Sequence, residues 1–265
     1  GHDGAGAYLF DGLNDYIDGN SAGNGFPVGN ASRTITAWVK SNDTAGSDRN
    51  IFHYGTDIGG SPPQNFHLFI TSDGYPCVGN GYALGVVSGS ETVDDGTWHH
   101  LAGVYEGPET NMLRIYVDGV ETGSAVASTK PDTGTGNAWR IGRFMNGGGA
   151  YTGMIDDLSI YGRALSPAQI FALADSRNDI ILSEETGAEE SWQACITPND
   201  GYEDGVAVCS NNVTIIAAEG LNCTCGDICV NETGWWRDNG TFNASGAPIQ
   251  DAVNNATEGE TICVQ

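Results

Sequence analysis

The sequence is short of positive charge. Its 265 residues contain ten Lys and Arg against 34 Asp and Glu, which gives a formal charge of −24. Such an acidic surface repels nucleic acids and anionic membranes, and it favours divalent cations. Long apolar runs are also missing, since no stretch approaches the roughly 20 apolar residues of a membrane span. The composition therefore predicts neither a nucleic-acid-binding protein nor a membrane-spanning one.

Cysteine is almost absent from the first part of the chain, where Cys77 stands alone. The other six crowd the C-terminal part: Cys195, Cys209, Cys223, Cys225, Cys229 and Cys263. They could hold zinc or form disulfides, and the acidic, sequon-rich surroundings favour disulfides. Cys195 and Cys209 fall on neighbouring predicted strands, so they are the first pair we expect. Cys77 is then left as a free thiol, unless it bridges to another subunit.

Sequons for N-linked glycans concentrate in the same C-terminal part. Six of the eight Asn residues after position 200 begin an Asn-x-Ser/Thr triplet, against about one expected from the Ser and Thr content there. We therefore expect an N-glycosylated, extracellular segment at the cell surface. The predicted glycosylation sites of the whole chain are Asn30, Asn42, Asn212, Asn222, Asn231, Asn239, Asn243 and Asn255.

Short β-rich runs separated by Gly, Asn and Asp turns fill the first 160 residues, which is typical of an antiparallel sandwich. Asp118-Gly119 is a hairpin signal. One helix is predicted after Ser166-Pro167, which supply an N-cap and a first-turn proline. The predicted strands are Thr34–Lys40, Asn65–Thr71, Thr97–Tyr105, Met112–Asp118, Trp139–Phe144 and Gly153–Tyr161.

Five blocks of this region carry a family resemblance. In order, they read YLFDGLNDYIDG, RTITAWVK, DDGTWHHLAGVYEG, LRIYVDGVETG and GMIDDLSIYGRALSPAQIFAL. Their order and spacing resemble a laminin G-like, concanavalin A-like jelly-roll domain, here assigned to residues 1–174. The resemblance implies two stacked antiparallel sheets with the first and last strands side by side. It also implies a frequently bound calcium ion and a role in glycan or protein binding outside the cell.

The rest of the chain resembles incomplete modules of archaeal- or bacterial-type surface glycoproteins. Residues 175–216 are similar to the closing strands of an immunoglobulin-like module. Residues 217–265 are Cys-rich and sequon-rich, and they resemble the start of a right-handed parallel β-helix. A short helix is predicted over 248–256 and a final strand over Thr261–Val264. The predicted fold class is all-β: a two-sheet jelly roll followed by a small disulfide-rich β extension.

A buried carboxylate is the candidate metal ligand. Strand alternation places Asp156 on one face with Leu158 and Ile160, which are predicted core residues. A carboxylate in apolar surroundings needs a metal or dense hydrogen bonding. If the first and last strands are neighbours, Asp11 and Asn14 complete an oxygen-rich calcium site with Asp156. The alternative is a turn-capping Asp whose oxygens accept main-chain N–H groups.

The other chemistry-bearing residues support no catalytic site. His99 and His100 are adjacent on a predicted strand and face opposite ways, so they cannot coordinate the same metal ion. His100 is predicted to be a hydrogen-bonded core residue. Glycosidases of this fold generally carry an E-x-D-x-E strand, which is absent. We therefore predict no enzyme activity. Trp235-Trp236 could form a carbohydrate platform or pack inside the protein.

Two functions follow as hypotheses. In the first, the chain is a structural glycoprotein that assembles head to tail with copies of itself into a cell-surface filament, because incomplete β modules leave open strand edges. In the second, it is a calcium-dependent lectin or adhesin that binds glycans or surface proteins. A third reading is that the gene product continues into a full β-helix.

Overall fold

The structure is a computed structural model of the chain. It describes residues 1–4, 6–20, 25–43, 46–55, 64–80, 85–134, 138–176, 185–187, 189–198, 203–215, 228–231, 234–237, 243–244, 252, 256 and 262–264. The chain divides into two compact units, Gly1–Leu182 and Ser183–Gln265. No helix among the described residues is long and apolar enough to cross a membrane.

The first unit is built almost entirely from strands, because β-branched and aromatic residues alternate with turn-forming Gly, Asn and Asp. Its elements in chain order are β1 (Tyr8–Asp11), β2 (Ile17–Asn20), β3 (Arg33–Lys40), β4 (Arg49–Gly55), β5 (Asn65–Ile70), β6 (Pro76–Gly79), β7 (Val86–Ser88), β8 (Trp98–Tyr105), β9 (Met112–Val117), β10 (Val120–Val126), β11 (Ala138–Ile141), β12 (Thr152–Tyr161) and the helix α1 (Pro167–Ala174).

These strands form two antiparallel sheets. Sheet A has the order β1-β12-β3-β8-β9-β10, and sheet B has the order β2-β11-β4-β5-β6-β7. The first and last strands are neighbours, since Tyr8 of β1 is paired with Ile155 of β12. The two-sheet sandwich and this adjacency agree with what the family resemblance implies.

The core lies between the inner faces of the two sheets. Ile35 and Leu101 of sheet A belong to the same fully buried cluster as Phe52, Phe66 and Leu68 of sheet B. Burying each such side chain contributes roughly 1.5–3 kcal/mol to folding. The core therefore holds the sandwich together and leaves the outer face of sheet A available for other contacts.

The helix α1 covers one end of that outer face. Ser166 caps it by accepting a hydrogen bond from the Gln169 N–H, and the Gln169 side-chain oxygen accepts the N–H of Ser166. The predicted N-cap and first-turn proline are confirmed. Ile170 of the helix packs in a small apolar cluster with Ala102 and Val104 of β8. Leu173 of the helix and Tyr161 of β12 pack against the same cluster.

The second unit contains shorter elements. Two two-stranded sheets and one four-stranded sheet, in the order β19-β18-β17-β20, are described. The final strand pairs in parallel with β17, so it has a partner within its own chain. The predicted helix lies mostly outside the described residues, although Ala252 is helical and buried. The strands are β13 (Ser191–Trp192), β14 (Cys195–Ile196), β15 (Val208–Cys209), β16 (Val213–Thr214), β17 (Ile228–Asn231), β18 (Gly234–Arg237), β19 (Asn243–Ala244) and β20 (Ile262–Val264).

Candidate functional site

A β-bulge in β12 determines where the candidate carboxylates point. Asp156 is paired with Trp38 of β3, but the next paired residue, Ser159, is opposite Thr36, so β12 carries an extra residue here. Asp157 lies in this bulge, and its backbone has the left-handed conformation, with φ of 44°. Asp tolerates that conformation better than most residues.

The bulge reverses the side-chain alternation. Ile155 is in the core before it, whereas Leu158 and Ile160 pack against the core after it. The prediction that Asp156 shares a face with Leu158 and Ile160 is therefore wrong. Asp156 lies on the outer face of sheet A, beside its register neighbour Trp38.

The N-terminal segment supplies the partners of Asp156. The main-chain N–H of His2 donates to Asp156 Oδ2 at 3.0 Å, and the ring Nδ1 of His2 lies 3.2 Å from the same oxygen. The N–H of Asp157 donates to the other oxygen at 3.1 Å. Burial by itself raises the pKa of Asp156, but the hydrogen bonds from His2 and Asp157 outweigh it and lower that pKa below its usual value.

Asp156 belongs to a small cluster of possible metal ligands. One ligand atom each from His2, Asp3 and Asp156 lie within 4.8 Å of one another. The Gly6 carbonyl oxygen lies on the same side, because a Cβ built on Gly1 would meet Asp156 Oδ2, Gly6 O and Asp3 Oδ1 at 2.1, 2.7 and 2.9 Å. Two carboxylates and a carbonyl are the oxygen donors that calcium prefers. The oxygen donors of this cluster fit the calcium ion that the family resemblance implies, whereas the imidazole of His2 is not a typical calcium ligand.

Asp11 and Asn14 do not join this cluster. Asp11 is opposite Thr152, four positions along β12 from Asp156, which is about 13 Å. Its Oδ1 accepts the N–H groups of Leu13 at 2.8 Å and Asn14 at 3.4 Å. The predicted calcium site formed by Asp11, Asn14 and Asp156 is therefore wrong, because Asp11 and Asn14 do not lie beside Asp156. Asp11 caps its own turn, and the strand register places it four positions along β12 from Asp156.

A polar pocket lies next to the cluster on the outer face of sheet A, and we call it the Trp38 pocket. Its volume is about 240 Å³. The ring of His2 stacks on Trp38, and Trp38 meets His100 edge to face at 5.4 Å between ring centroids. The described residues that line it are His2, Thr36, Trp38, His100, Asp157, Ser159, Tyr161, Leu173 and Ser176.

A second, more apolar pocket of about 500 Å³ opens at the edge formed by β1 and β12. Ile141, Ile155 and Leu158 line its inner side, and Tyr8 lines its rim. Asp156 and Asp157 border both this space and the outer face. The bulge therefore lies between the two openings.

The two adjacent histidines have different surroundings, as their position on a strand predicts. His99 Nδ1 lies 2.8 Å from Asp118 Oδ2, and His99 Nε2 lies 3.3 Å from Asp95 Oδ1. The hydrogen bond with Asp118 is the main cause that raises the pKa of His99 above its usual value, and partial burial opposes it. His100 is buried, but its Nδ1 has no hydrogen-bond partner among the described residues, contrary to the predicted hydrogen-bonded core histidine.

The adjacent carboxylates Asp94 and Asp95 are engaged separately. Asp94 forms an ion pair with the buried Arg49 at 3.2 Å, and Asp95 accepts the N–H of Thr97 at 2.8 Å. Glycoside hydrolysis needs two carboxyl groups facing one bond. Each of these two carboxylates is bonded to a different partner, Arg49 for Asp94 and Thr97 for Asp95.

The structure forms the disulfide between Cys195 and Cys209, which are register partners of β14 and β15. Cys229 and Cys263 are register partners of β17 and β20, whereas Cys223 and Cys225 lie outside the described residues. Cys77 is free and fully buried beside Ser88, so it is not placed to bridge to another subunit. Burial raises the pKa of its thiol to about 11.

Of the predicted glycosylation sites, Asn30, Asn42 and Asn212 are exposed. Asn231 and Asn243 lie on β17 and β19. Trp235 and Trp236 lie on β18, and only the backbone of that strand is described. Asn222, Asn239 and Asn255 lie outside the described residues.

Sequence reasoning missed the residues that complete the Trp38 pocket, above all His2, Thr36, Trp38, Ser159 and Tyr161. His2 has no spacing relationship to any other candidate ligand, so no sequence signal singles it out. The register of β3 against β12 could have placed Thr36 beside Ser159, and Trp38 beside Asp156, once the bulge was known.

Solved structures similar to this chain include carbohydrate-binding and pentraxin domains. One is domain 4 of AbnA, an extracellular arabinanase from Geobacillus stearothermophilus, with 22% identity over 63% of this chain and 76% of that one (TM-score 0.48). Another is a heptameric SAP-like pentraxin from Limulus polyphemus, with 17% identity over 79% and 94% of the two chains (TM-score 0.47). A third is the CBM40 domain of a Ruminococcus gnavus sialidase, with 15% identity over 64% and 97% (TM-score 0.48).

A curated relative is the rat (Rattus norvegicus) sushi, von Willebrand factor type A, EGF and pentraxin domain-containing protein 1. It is 29% identical in an alignment of 169 positions that covers 54% of this chain and 4% of the relative. The chain therefore spans a small fraction of that protein's length. Residues 11–171 match the family described as the concanavalin A-like lectin/glucanases superfamily. This chain belongs to that laminin G-like superfamily.

Proposed function

We propose that the chain is a non-enzymatic, extracellular glycan-binding module. The observation that carries this proposal is the Trp38 pocket, where the rings of Trp38 and Tyr161 stand beside hydroxyl, imidazole and carboxylate groups. A sugar offers apolar C–H surface and hydroxyl groups together, so it fits a site that combines aromatic and polar side chains. Membership of a superfamily of lectins and glucanases supports the same conclusion.

The carboxylates near the pocket favour glycan binding without hydrolysis. A glycosidase needs an acid and a second carboxylate on opposite sides of the scissile bond, about 5–9.5 Å apart. Among the described residues that line the Trp38 pocket, Asp157 is the one carboxylate. The neighbouring Asp156, which accepts hydrogen bonds from His2 and Asp157, is not among the described residues of this lining.

An oxidising, extracellular setting is supported by the second unit and by the sequons. The disulfide between Cys195 and Cys209 is stable outside the reducing cytosol. Asn30, Asn42 and Asn212 are exposed, as acceptors of N-linked glycans must be. We propose that all eight predicted sequons are candidates for glycosylation.

We also propose a calcium ion at the N-terminal cluster. Asp3 and Asp156 would hold it through carboxylate oxygens, and Gly6 would hold it through its carbonyl. When bound, the ion supplies positive charge to an otherwise acidic surface. The chain's own contribution is to bring the N-terminal segment onto β12, beside the rim of the Trp38 pocket.

A glycan array probed with the folded chain, with calcium and with EDTA, tests the proposal. We expect selective binding to a subset of glycans, weaker in EDTA if the N-terminal segment shapes the pocket. A folded chain that binds no glycan under either condition would refute the glycan-binding function. Reducing-sugar release from bound glycans would refute the non-enzymatic part.

Self-assembly into a surface filament is a second candidate function. The observation that favours it is β1, which is an edge strand of sheet A and exposes 68% of both Tyr8 and Leu9. Such an edge can accept a strand from another copy of the chain. Light scattering should then show polymers that Leu9→Lys disperses. A chain that stays monomeric at high concentration would argue against this function.

A further inference from the structure

One residue of the Trp38 pocket lining, His100, has a buried ring nitrogen with no hydrogen-bond partner among the described residues. His100 is 2% exposed, and the nitrogen is its Nδ1. Burial lowers the pKa of His100 to about 4, so the ring is neutral at pH 7. Buried polar groups in native proteins nearly always have partners, so a missing partner directs attention to a ligand.

The other lining groups indicate the chemistry of that ligand. Hydroxyl groups come from Thr36, Ser159, Tyr161 and Ser176, and a carboxylate comes from Asp157. Hydroxyls both donate and accept hydrogen bonds, and a carboxylate accepts them. Among the described residues of the lining none is Lys or Arg, and the carboxylate of Asp157 repels an anionic group. The lining therefore suits a neutral ligand rich in hydroxyls.

The size of the pocket limits the ligand further. A cavity of about 240 Å³ is smaller than the usual range for drug-sized ligands, roughly 300–1,000 Å³. It leaves room for one sugar ring. Because one face of the Trp38 indole is stacked on His2, that face is not available to the sugar ring.

We propose that the Trp38 pocket binds one neutral pyranose unit of a glycan, with its hydroxyls bonded to His100, Ser159 and Asp157. This inference rests on the proposed glycan-binding function and adds its site and its ligand class. It separates this chain from lectins that bind carboxylated sugars, since Asp157 repels a carboxylate.

Titrations followed by NMR test the proposal on the folded chain. The probes are the methyl pyranosides of glucose, galactose and mannose, with methyl glucuronoside and sialyllactose as anionic counterparts. We expect at least one neutral pyranoside to bind, with a dissociation constant on the order of 1 mM. We also expect it to shift the ring nitrogen signals of His100, whereas the anionic sugars should bind at least about tenfold more weakly.

Two conservative variants localise the binding. Ser159→Ala removes one hydroxyl, and Asp157→Asn removes the charge while keeping a residue that tolerates the left-handed backbone. Each should weaken binding of the neutral sugar about fivefold or more. Ser124→Ala, on the exposed strand β10 and outside the pocket lining, is the matched control and should leave binding unchanged.

The possible outcomes test this inference separately from the proposed glycan-binding function. A neutral sugar that binds with equal affinity to the parent chain and to both variants would overturn the assignment of the pocket, while glycan binding itself would stand. Preferential binding of the anionic sugars would overturn the ligand class. If the folded chain binds neither a glycan on the array nor any of the soluble probes, both this inference and the proposed glycan-binding function are refuted.

Discussion

The imidazole of His2 lies parallel to the indole of Trp38, with ring centroids 4.2 Å apart and planes within 10° of each other. The same imidazole lies 3.2 Å from Asp156 through Nδ1. The N-terminal segment is thus attached to both β3 and β12, at the rim of the Trp38 pocket. It forms part of the candidate site.

Calcium is expected to raise the melting temperature of the chain. Binding to the folded state alone contributes about 2.7 kcal/mol when calcium is present at 100 times its dissociation constant. The Asp156→Asn variant should lose this shift, because Asp156 supplies a central oxygen ligand in the proposed site. Differential scanning fluorimetry in calcium and in EDTA measures it.

Asp11→Asn is the matched control for the calcium experiment. Asp11 caps its own turn and lies four positions along β12 from Asp156, so this variant should keep the calcium shift. Loss of the shift in Asp11→Asn, with retention in Asp156→Asn, would contradict the site proposed at the N-terminal segment.

His99 should make stability depend on pH with a defined sign. Its pKa is raised in the folded state, chiefly by the hydrogen bond with Asp118. The stabilisation is therefore fully present below the unfolded pKa of about 6.5, and it is lost as pH rises through the folded pKa. Urea unfolding of the parent chain and of His99→Gln, at pH values from 5 to 9, measures the difference.

The buried imidazoles change the pH dependence of stability in the opposite direction to His99. The parent chain must therefore be compared with His99→Gln at each pH. The lowered pKa of His100, about 4, favours the folded state at higher pH and is shared by the parent chain and the variant. The difference between the two stabilities should shrink as the pH rises above 6.5. A constant difference would show that His99 does not titrate as its contacts indicate.

The β12 bulge should tolerate few residues at position 157. A β-branched residue in the left-handed region is strained, so Asp157→Val should lower the free energy of unfolding by about 1–2 kcal/mol. Asp157→Asn should change it little, because Asn tolerates this conformation. Equal stability of the two variants in urea would contradict the left-handed bulge.

Arg33 should be hard to replace even by Lys. Its guanidinium is fully buried and donates to the Ala31 and Gly29 carbonyls and the Thr133 hydroxyl, each at 2.8 Å. A Lys ammonium cannot reach all these acceptors from one point, so Arg33→Lys should destabilise the fold by about 2–4 kcal/mol. Arg163→Lys, at an exposed residue whose side chain donates a hydrogen bond to Gln169, should cost no more than about 1 kcal/mol. Chemical denaturation compares the two.

Cys77 should resist alkylation in the folded protein. It is fully buried, and burial raises the pKa of its thiol to about 11, so little thiolate exists at pH 8. Iodoacetamide should label the Cys77 peptide fully in guanidinium and hardly at all in buffer, as read by mass spectrometry. Rapid labelling of the native chain would show that the strands around β6 open readily.

Local signals in the sequence predicted six of the twelve strands of the sandwich. The predicted strand Thr34–Lys40 is observed as Arg33–Lys40, and Thr97–Tyr105 as Trp98–Tyr105. The cap at Ser166 was predictable because it depends on residues within one helical turn. The pairing of Cys195 with Cys209 followed from neighbouring strands. Alternation, turn chemistry and capping act over a few residues, so sequence alone suffices for them.

The tertiary structure decided the candidate site. One extra residue at Asp157 reversed the alternation of β12 and turned Asp156 to the outer face, which strict alternation could not anticipate. Register along β12 separated Asp11 from Asp156, and folding brought His2 across 154 positions to Asp156. Bulges, register and long-range contacts depend on how whole strands pack against each other. The sequence by itself therefore determined the all-β class and half of the strands, and only the packed strands determined which side chains share a pocket.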